Sequence, residues 1–362
     1  MQITEIELLT FRNIRAAAIK PSSGVNLIIG DNAQGKTNLL EAIYLFTGQG
    51  SFRAVREHEM IMKGEPHSRL KLKFAGGGRD NEVEIVLGEK RHASLNGLEK
   101  ESPRGLTGSF LSVVFSPTHL SLIKDGPALR RAFLDEAIAQ LKPRYAAVLT
   151  QYNRVLSQRA ALLRDAVFHA DLLDTLDVWD ANLIKLGGLI VRTRESYVHL
   201  LSPEATAIYD AMTDGGECLA LGYARSFDEG EDVESALEKK LRANRAIDLK
   251  NGNTSTGPHR DDLDIQIGGL SARSYGSQGQ QRSAVLCLKL AEASLMARLS
   301  GEQPVVLLDD VLSELDQGRR DYLLGGLKDR QVFITCCDPD AFGSMGAGCV
   351  FRVQGGVVTQ PG

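Results

Sequence analysis

The N-terminal part of the chain alternates apolar and polar residues, a pattern that predicts β-strands. The first alternation contains Ile3, Ile6 and Leu8. A second occupies residues 70–74 and a third residues 83–87, on either side of the turn-rich sequence GGGRDN. Two alternating runs that flank glycine and aspartate predict a β-hairpin.

A change of period follows the short apolar segment GVNLIIG, residues 24–30. The segment predicts a buried strand that ends at Gly30. Apolar residues then recur at helical spacing over residues 39–44. Residues 30–37 are therefore predicted to connect a buried strand to the first turn of a helix.

The middle of the chain has a helical pattern from residue 128 to about residue 214. Pro143 and Pro203 are interpreted as first residues of helices, where proline is tolerated. A short strand and a charged helix follow, then a loop at residues 251–262, after which strands and helices alternate again. The order predicts an α/β core built from both ends of the chain, residues 1–122 and 251–362, around a helical lobe, residues 123–250.

The composition narrows the class of protein. The 362 residues are 43% hydrophobic and carry a formal charge of −4, which excludes a disordered chain and any overall positive field. Five cysteines, an odd number, favour a reducing compartment. Since no apolar stretch reaches the ~20 residues of a membrane helix and the N-terminus is acidic, we expect a cytoplasmic protein with no membrane partner.

The segment Gly30–Thr37 fits the pattern G-x-x-x-x-G-K-S/T between a buried strand and a helix. In this motif backbone N–H groups surround a phosphate chain, so we expect Lys36 to bind the β- and γ-phosphates and Thr37 to bind Mg²⁺. The alternative is a glycine-rich turn with a solvated lysine. The residues expected to bind ATP here are Gly30, Asp31, Asn32, Ala33, Gln34, Gly35, Lys36, Thr37 and Asn38.

Two carboxylates follow the fully apolar run Val305–Leu308. Such a run predicts a central strand of a parallel sheet, and residues at its carboxyl end face the ligand crevice. Asp309 is expected to hold Mg²⁺, and Asp310 to orient or deprotonate the attacking water. A pair of helix N-caps is the alternative interpretation.

Ser277, Gln278, Gly279 and Gln280 directly precede a helical run. A serine and glycines at a helix start present N–H donors to an anion, although by themselves they indicate only a capped helix. Together the three motifs resemble those of ABC-type ATPases, whose signature S-G-G-Q is matched with Gln278 in place of the first glycine. The sequence 313–316 resembles the D-loop of the same class.

The resemblance to ABC-type ATPases implies ATP bound between two copies of the chain. Ser277, Gly279 and Gln280 of one copy would contact the ATP held by Lys36 of the other, with Ser277 and Lys36 catalytic beside Asp310. Lys36 and Ser277 are 241 residues apart, further than in transporter ATPases, and no long heptad array lies between them.

Over its full length the chain resembles the RecF family of SMC-like P-loop ATPases. The matching segments are 9–15, 30–46, 51–53, 115–135, 257–263, 275–283 and 307–316. The resemblance implies an ABC-type/SMC-like ATPase head with an inserted helical lobe. It also implies an ATP-dependent homodimer that binds single- and double-stranded DNA at gaps or junctions, acts with the RecO and RecR mediators to load recombinase, and supports the SOS response. The alternatives are an SMC-like chromosome tether and an ABC ATPase subunit that does mechanical work.

The chain departs from the ABC pattern at three places. Asp310 replaces the usual glutamate, and its shorter side chain predicts a weak, DNA-dependent ATPase that acts mainly as a switch. No histidine follows the strand QVFIT, where Cys336 and Cys337 stand. No glutamine lies in FSPTHL at the Q-loop position, so Ser116, His119 and Gln49 are the candidates for that role.

Basic residues near the predicted core are candidates for DNA phosphate contacts, although each could be an ordinary solvated charge. No base-reading motif is present, which predicts binding directed by DNA structure. His259 and Arg260 could sense nucleotide or DNA, or could form a buried turn. The DNA candidates are Arg12, Arg15, Arg53, Arg56, Lys71, Lys73, Arg130 and Arg131.

Overall fold

The computed structural model describes residues 1–53, 56–89, 91–213, 215–228, 232–312, 315–337 and 348–360. The chain divides into two compact units. Unit 1 comprises Met1–Leu120, Ala211–Gly215 and Ser283–Gly362, and unit 2 comprises Ser121–Asp210 and Gly216–Arg282. The two ends of the chain belong to one unit. Residues 251–282, which were grouped above with the C-terminal part of the head, belong to unit 2.

Unit 1 contains an antiparallel sheet with the strand order β2-β1-β4-β5-β6-β7. Its alternating residues place apolar side chains on one buried face. The first alternation skips from Ile3 to Ile6 because the register of β1 against β4 shifts between Ile3 and Glu5. The predicted hairpin is β4–β5. The strands are β1 (Gln2–Phe11), β2 (Ile14–Ile19), β4 (His67–Gly76), β5 (Arg79–Gly88), β6 (His92–Leu95) and β7 (Leu98–Lys100).

A second sheet of unit 1, mostly parallel, has the order β15-β14-β3-β13-β12-β8. β3 and β12 are apolar and buried, as expected for central strands. β3 pairs with β13 on one side and with β14 on the other. The strand that precedes the motif Gly30–Thr37 therefore lies between two strands from the C-terminal part of the chain. The strands are β3 (Val25–Ile29), β8 (Ser112–Phe115), β12 (Val305–Asp309), β13 (Val332–Cys336), β14 (Cys349–Gln354) and β15 (Val357–Thr359).

Unit 1 also contains helices. α1 (Lys36–Leu45) follows β3 and buries Leu39, Leu40 and Ile43, the residues whose spacing predicted it. α9 (Gln317–Gly325) is capped by the Asp316 side chain.

Unit 2 combines helices with a small antiparallel sheet of order β11-β10-β9. α8 begins in unit 2 and continues into the residues of unit 1. The helices are α2 (Ser121–Lys124), α3 (Pro127–Leu141), α4 (Pro143–Asp165), α5 (Leu176–Met212), α6 (Val233–Asn251), α7 (Ala272–Tyr275) and α8 (Gln278–Ser300). The strands are β9 (Leu219–Ala224), β10 (Asp262–Ile267) and β11 (Leu270–Ser271).

The two prolines that the sequence analysis placed at helix starts behave differently. Pro143 is the first residue of α4, as predicted. Pro203 lies inside α5, so that prediction was wrong. An interior proline costs a backbone hydrogen bond, but Leu201, Ala205 and Tyr209 are buried on either side of it. Packing of both halves therefore keeps α5 continuous.

Ion pairs are buried at the centre of unit 2. Arg159, with no exposed surface, donates to Asp180 over 2.7 Å and to Asp248 over 2.8 Å. Arg194 donates to both oxygens of Asp135 over 2.8 Å. Because these charges are buried, removal of one partner would leave another charged group without its full set of contacts, which is destabilising.

In the described segments, no helix combines the length and the apolar character needed to cross a bilayer.

Candidate nucleotide-binding site

The phosphate-binding loop, Gly30–Thr37, connects β3 to α1 and contains two positions that require glycine. Gly30 has φ 153° and Gly35 has φ 115°. A Cβ on Gly30 would lie 2.3 Å from the carbonyl oxygen of Val353, and one on Gly35 would lie 2.6 Å from Asn13 Oδ1. The backbone therefore packs closely at the amino end of α1, where N–H groups and the helix dipole favour an anion. The loop fits a nucleotide phosphate chain.

The Lys36 side chain is folded into this loop. Its Nζ donates to the carbonyl oxygens of Gly30 and Asp31 over 2.6 and 2.9 Å. A third contact, of 3.3 Å, joins it to Sγ of Cys337. All three protons of the ammonium group therefore have partners at the loop, and phosphate oxygens would replace some of these partners.

Thr37 and Asp309, the two predicted Mg²⁺ ligands, are in direct contact although they are far apart in sequence. The Thr37 hydroxyl donates to Asp309 Oδ1 over 2.8 Å, and the Thr335 hydroxyl donates to the same oxygen over 3.0 Å. Burial raises the pKa of the Asp309 carboxyl, while the two hydroxyl hydrogen bonds oppose that rise. A hydroxyl and a carboxylate are hard oxygen donors, so this pair fits Mg²⁺ accompanied by phosphate and water.

Asp310, the expected water-orienting residue, is exposed at the end of β12. Its backbone has φ 52°, a left-handed conformation unusual for aspartate, and its N–H donates to the Thr335 hydroxyl over 2.9 Å. Thr335 therefore positions both consecutive carboxylate residues. The catalytic role of Asp310 remains a prediction.

Cys337 lies where the sequence analysis found no histidine. It follows β13, which is parallel to β3, and its Sγ is 3.1 Å from Asn32 Oδ1 as well as 3.3 Å from Lys36 Nζ. Pairing of β13 with β3 brings this thiol to the phosphate-binding loop. No local pattern in the sequence indicated the contact.

Two turns hold the phosphate-binding loop from outside, and sequence reasoning missed both. Asn13 Nδ2 donates to the carbonyl oxygen of Gln34 over 2.9 Å. The N–H of Gly356 donates to the same oxygen over 3.1 Å, and the N–H of Gly355 donates to Gln34 Oε1 over 2.6 Å. The β1–β2 and β14–β15 turns thereby fix Gln34.

Asn38, predicted to contact ATP, links the loop to a buried carboxylate. Its Nδ2 donates to Asn13 Oδ1 over 2.8 Å, and its Oδ1 accepts from Arg53 over 2.8 Å. Arg53 in turn contacts the carboxylate of Glu41. Glu41 is fully buried and also accepts two hydrogen bonds from Arg12, over 2.9 and 2.6 Å. In this structure Asn38 supports the loop from the side.

The signature segment, Ser277–Gln280, lies in unit 2 at the start of α8. The Ser277 N–H donates to Gln280 Oε1 over 2.6 Å, and the Gln280 N–H donates to Ser277 Oγ over 3.3 Å. This reciprocal pair is a capping box. Ser277 and Gln278 are exposed, so the segment can meet a partner molecule.

The chain matches one family along nearly its whole length. Residues 2–358 fit the model of the RecF/RecN/SMC N terminal domain. The DNA replication and repair protein RecF of Acetivibrio thermocellus is 39% identical over 365 residues, which cover 98% of this chain and 99% of that protein. The protein of the same name from Heliobacterium modesticaldum is 40% identical and covers 99% of both chains. This chain belongs to the RecF family.

Solved structures agree with the RecF assignment. The recombination mediator protein RecF with ATP is 34% identical, has a TM-score of 0.90 and covers 99% of both chains. The RecF-ATPrS structure has a TM-score of 0.93 at 34% identity and covers 99% of this chain and 98% of the other. The Smc head domain of Pyrococcus furiosus, 16% identical with a TM-score of 0.56, shares the fold. The predicted fold of an SMC-like P-loop ATPase head is confirmed.

Most of the basic residues considered as DNA contacts in this RecF-family chain form internal contacts. Arg130 is buried and donates to both oxygens of Asp262 over 2.7 and 2.9 Å. Lys71 pairs with Glu82 over 3.0 Å and Lys73 with Glu5 over 2.6 Å on the outer face of the antiparallel sheet. Arg12 and Arg53 contact Glu41, and Arg131 donates to the Asp261 carbonyl. Arg15, 77% exposed, and Arg56 are the more accessible candidates.

The sequence GPHRDD forms a turn network within unit 2. The His259 ring contacts the Tyr152 hydroxyl over 2.7 Å and the carbonyl oxygen of Thr254 over 2.9 Å. Burial lowers the pKa of His259 to about 4, so its ring is neutral at physiological pH. Arg260 also donates to the Thr254 carbonyl, over 3.2 Å. His259 is half-buried in this turn and Arg260 is exposed, and a role of either residue in sensing nucleotide or DNA remains a prediction.

Two predicted motifs remain, the Q-loop position and the D-loop. The Ser116 N–H donates to His119 Nδ1 over 2.9 Å, and burial lowers the pKa of His119 to about 3, with Lys289 nearby acting in the same direction. The Q-loop role of these two residues, or of Gln49, remains a prediction. In the D-loop sequence, Ser313 and Glu314 lie outside the described residues.

Proposed function

We propose that this RecF-family chain is an ATP-switched DNA-binding protein of replication and recombinational repair. The observation that carries the proposal is the 2.8 Å contact of Thr37 with Asp309, beside a phosphate-binding loop that already contains Lys36. Curated relatives at 39% and 40% identity are named DNA replication and repair protein RecF. A relative's structure with ATP supports the choice of nucleotide.

The residues of unit 1 bind and orient the nucleotide. Bound MgATP supplies a triphosphate whose charge the site must balance. Loop N–H groups and Lys36 hold the phosphates, while Thr37 and Asp309 hold the metal ion. Asp310 is exposed beside them and orients water, with a shorter reach than glutamate. We therefore infer slow hydrolysis, with nucleotide serving chiefly as a switch.

Two copies of the chain would complete the site. Ser277 is exposed at a helix start that offers N–H donors to an anion. In the proposed homodimer, this segment of one copy contacts the nucleotide held by Lys36 of the other. Pairing also doubles any basic surface, which favours DNA through phosphate contacts.

The DNA-bound dimer is proposed to recognise single- and double-stranded regions at gaps or junctions. It would act with the RecO and RecR mediators to load recombinase, and so support the SOS response. The structures of related RecF proteins are described as belonging to the RecFOR pathway, which supports this assignment. Contacts to phosphates rather than to bases predict selection of DNA by its structure.

Light scattering with and without MgATP tests the homodimer. The wild type is expected to change from monomer to dimer with ATP, whereas Lys36→Arg and Ser277→Arg remain monomeric. The arginine at position 36 keeps the charge but not the compact ammonium group, and the arginine at position 277 fills the proposed contact. A wild type that stays monomeric at saturating ATP would rule out the switch.

Footprinting on a gapped duplex, with ATP and with ADP, tests the DNA function. Protection at the gap is expected with ATP only, and Lys36→Arg should give none. Competition by unrelated gapped sequences should be equal. A strong preference for one duplex sequence would contradict structure-directed binding.

A further inference from the structure

Glu217 forms an unexpected contact with the signature segment. Its two carboxylate oxygens lie 2.6 and 2.7 Å from Nε2 of Gln280, which donates to them. The hydroxyl of Tyr209, a buried residue on α5, donates weakly to the same carboxylate over 3.4 Å. These residues all belong to unit 2. Neither a motif nor the hydrophobic pattern had indicated Glu217.

The contact fixes which way the Gln280 amide faces. The terminal torsion of glutamine is broad and roughly two-fold, so an unanchored amide can exchange its oxygen and nitrogen. With Nε2 on the carboxylate, Oε1 faces Ser277 and accepts its N–H over 2.6 Å. Because the partner is charged, this anchor is stronger than a neutral hydrogen bond.

The capping box then determines what Ser277 can offer. Its Oγ accepts the N–H of Gln280 over 3.3 Å, which directs the hydroxyl proton away from the helix. Ser277 is exposed, so that proton is available to an acceptor outside the chain. A phosphate oxygen is such an acceptor.

We propose that Glu217 is a positioning residue for the signature segment. Through Gln280 it holds Ser277 ready to donate to the nucleotide phosphate bound by a second copy of the chain. The proposal rests on the ATP-dependent homodimer described above. Glu217 acts through Gln280, which donates to its carboxylate, and is therefore a positioning residue rather than a catalytic one.

The negative charge of Glu217 by itself opposes ATP-dependent pairing, because a carboxylate near a phosphate site repels the nucleotide. Two contacts from Nε2 partly balance that charge, and solvent screens it further. We expect the loss of positioning to outweigh the relief of repulsion. Removal of the side chain should therefore weaken pairing.

Sedimentation velocity with saturating MgATP tests this expectation through the dimer dissociation constant. Glu217→Ala is expected to weaken each ATP contact about tenfold, and the dimer about a hundredfold because it contains two such contacts. Glu217→Gln keeps an acceptor oxygen and should lose less. Glu217→Asp keeps the charge but retracts it and should weaken pairing. Glu238→Ala, which removes an exposed carboxylate that pairs with Arg242 along α6, is the matched control and should pair like wild type.

Two further measurements separate positioning from a general structural defect. ATP affinity at protein concentrations too low for pairing should stay within about twofold of wild type, since a positioning effect needs the second copy. In a double-mutant cycle, Gln280→Ala should remove most of the effect of Glu217→Ala, because one acts through the other. Additive effects would contradict the proposal.

The outcomes distinguish this proposal from the one on which it depends. If wild type fails to pair with ATP, the homodimer itself is wrong. If wild type pairs and Glu217→Ala pairs as tightly or more tightly, Glu217 does not position the signature segment. If Glu217→Ala does not fold, unchanged pairing by Glu217→Asp together with tighter pairing by Glu217→Gln would show that only charge matters, and would equally overturn the proposal.

Discussion

Replacement of Gly356 by alanine tests whether the C-terminal β14–β15 turn holds the phosphate-binding loop. Gly356 has φ 79°, and an added Cβ would lie 2.0 Å from the carbonyl oxygen of Asn13. Its N–H donates to the carbonyl oxygen of Gln34, which also accepts from Asn13. A methyl group must therefore push the two supporting turns apart, and the loop loses at least one contact.

The magnitude follows from two costs. An alanine in the left-handed region costs about 1–2 kcal/mol. One backbone hydrogen bond lost between Gly356 and Gln34 contributes about 1 kcal/mol more. If the sum of about 2–3 kcal/mol falls on the loop, ATP affinity decreases by about 30- to 150-fold. The neighbouring Gly355 has φ 56° with no described atom within 4 Å of its Cβ, so Gly355→Ala carries only the conformational cost.

Titration calorimetry with MgATP on both variants, together with thermal unfolding, measures the effect. Gly356→Ala should bind ATP at least several times more weakly than Gly355→Ala, with a similar melting temperature for both. Equal ATP affinities would refute the idea that the turn supports the loop. A loss of affinity that merely follows a lower melting temperature would assign the effect to folding instead.

Three other predictions concern ionisable residues. For Asp309→Asn, we expect a higher melting temperature of the nucleotide-free protein at neutral pH and no ATP-dependent pairing. Because the pKa of Asp309 is raised in the folded protein, its ionised form lowers the free energy of unfolding. The gain in stability from Asp309→Asn should therefore shrink as pH falls through that pKa. A lower melting temperature of the variant at neutral pH would contradict this. For His259, whose pKa is lowered to about 4, stability should fall as pH decreases from about 6.5 towards 4, because the unfolded state takes up the proton first. Urea unfolding at pH 7.5 and 5.0 should show a loss of about 2 kcal/mol in wild type but not in His259→Gln. For Asp248→Ala, chemical denaturation should show a loss of about 3–5 kcal/mol, because Arg159 remains buried without a full set of partners; a loss below about 1 kcal/mol would mean that the site relaxes or admits water.

Local patterns accounted for the elements that carry the chemistry. Apolar runs predicted β3 and β12 as buried strands, and the change of period at Gly30 predicted α1. Both follow from burial, since a strand covered on both faces is apolar throughout and a helix buries one face. Pro203 shows the limit of this reasoning. Its local preference for a helix start was overcome by the packing of α5.

The sequence by itself determined the motifs and the family, and predicted which residues would contact a phosphate chain, because these depend on residue type and short spacing. Only the tertiary structure decided what surrounds them. Cys337, Gly356 and Glu217 contact the motifs from distant parts of the chain. The positions of Cys337 and Gly356 depend on β3 lying between β13 and β14. Strand order and register are properties of the whole sheet, and no short stretch of sequence encodes them.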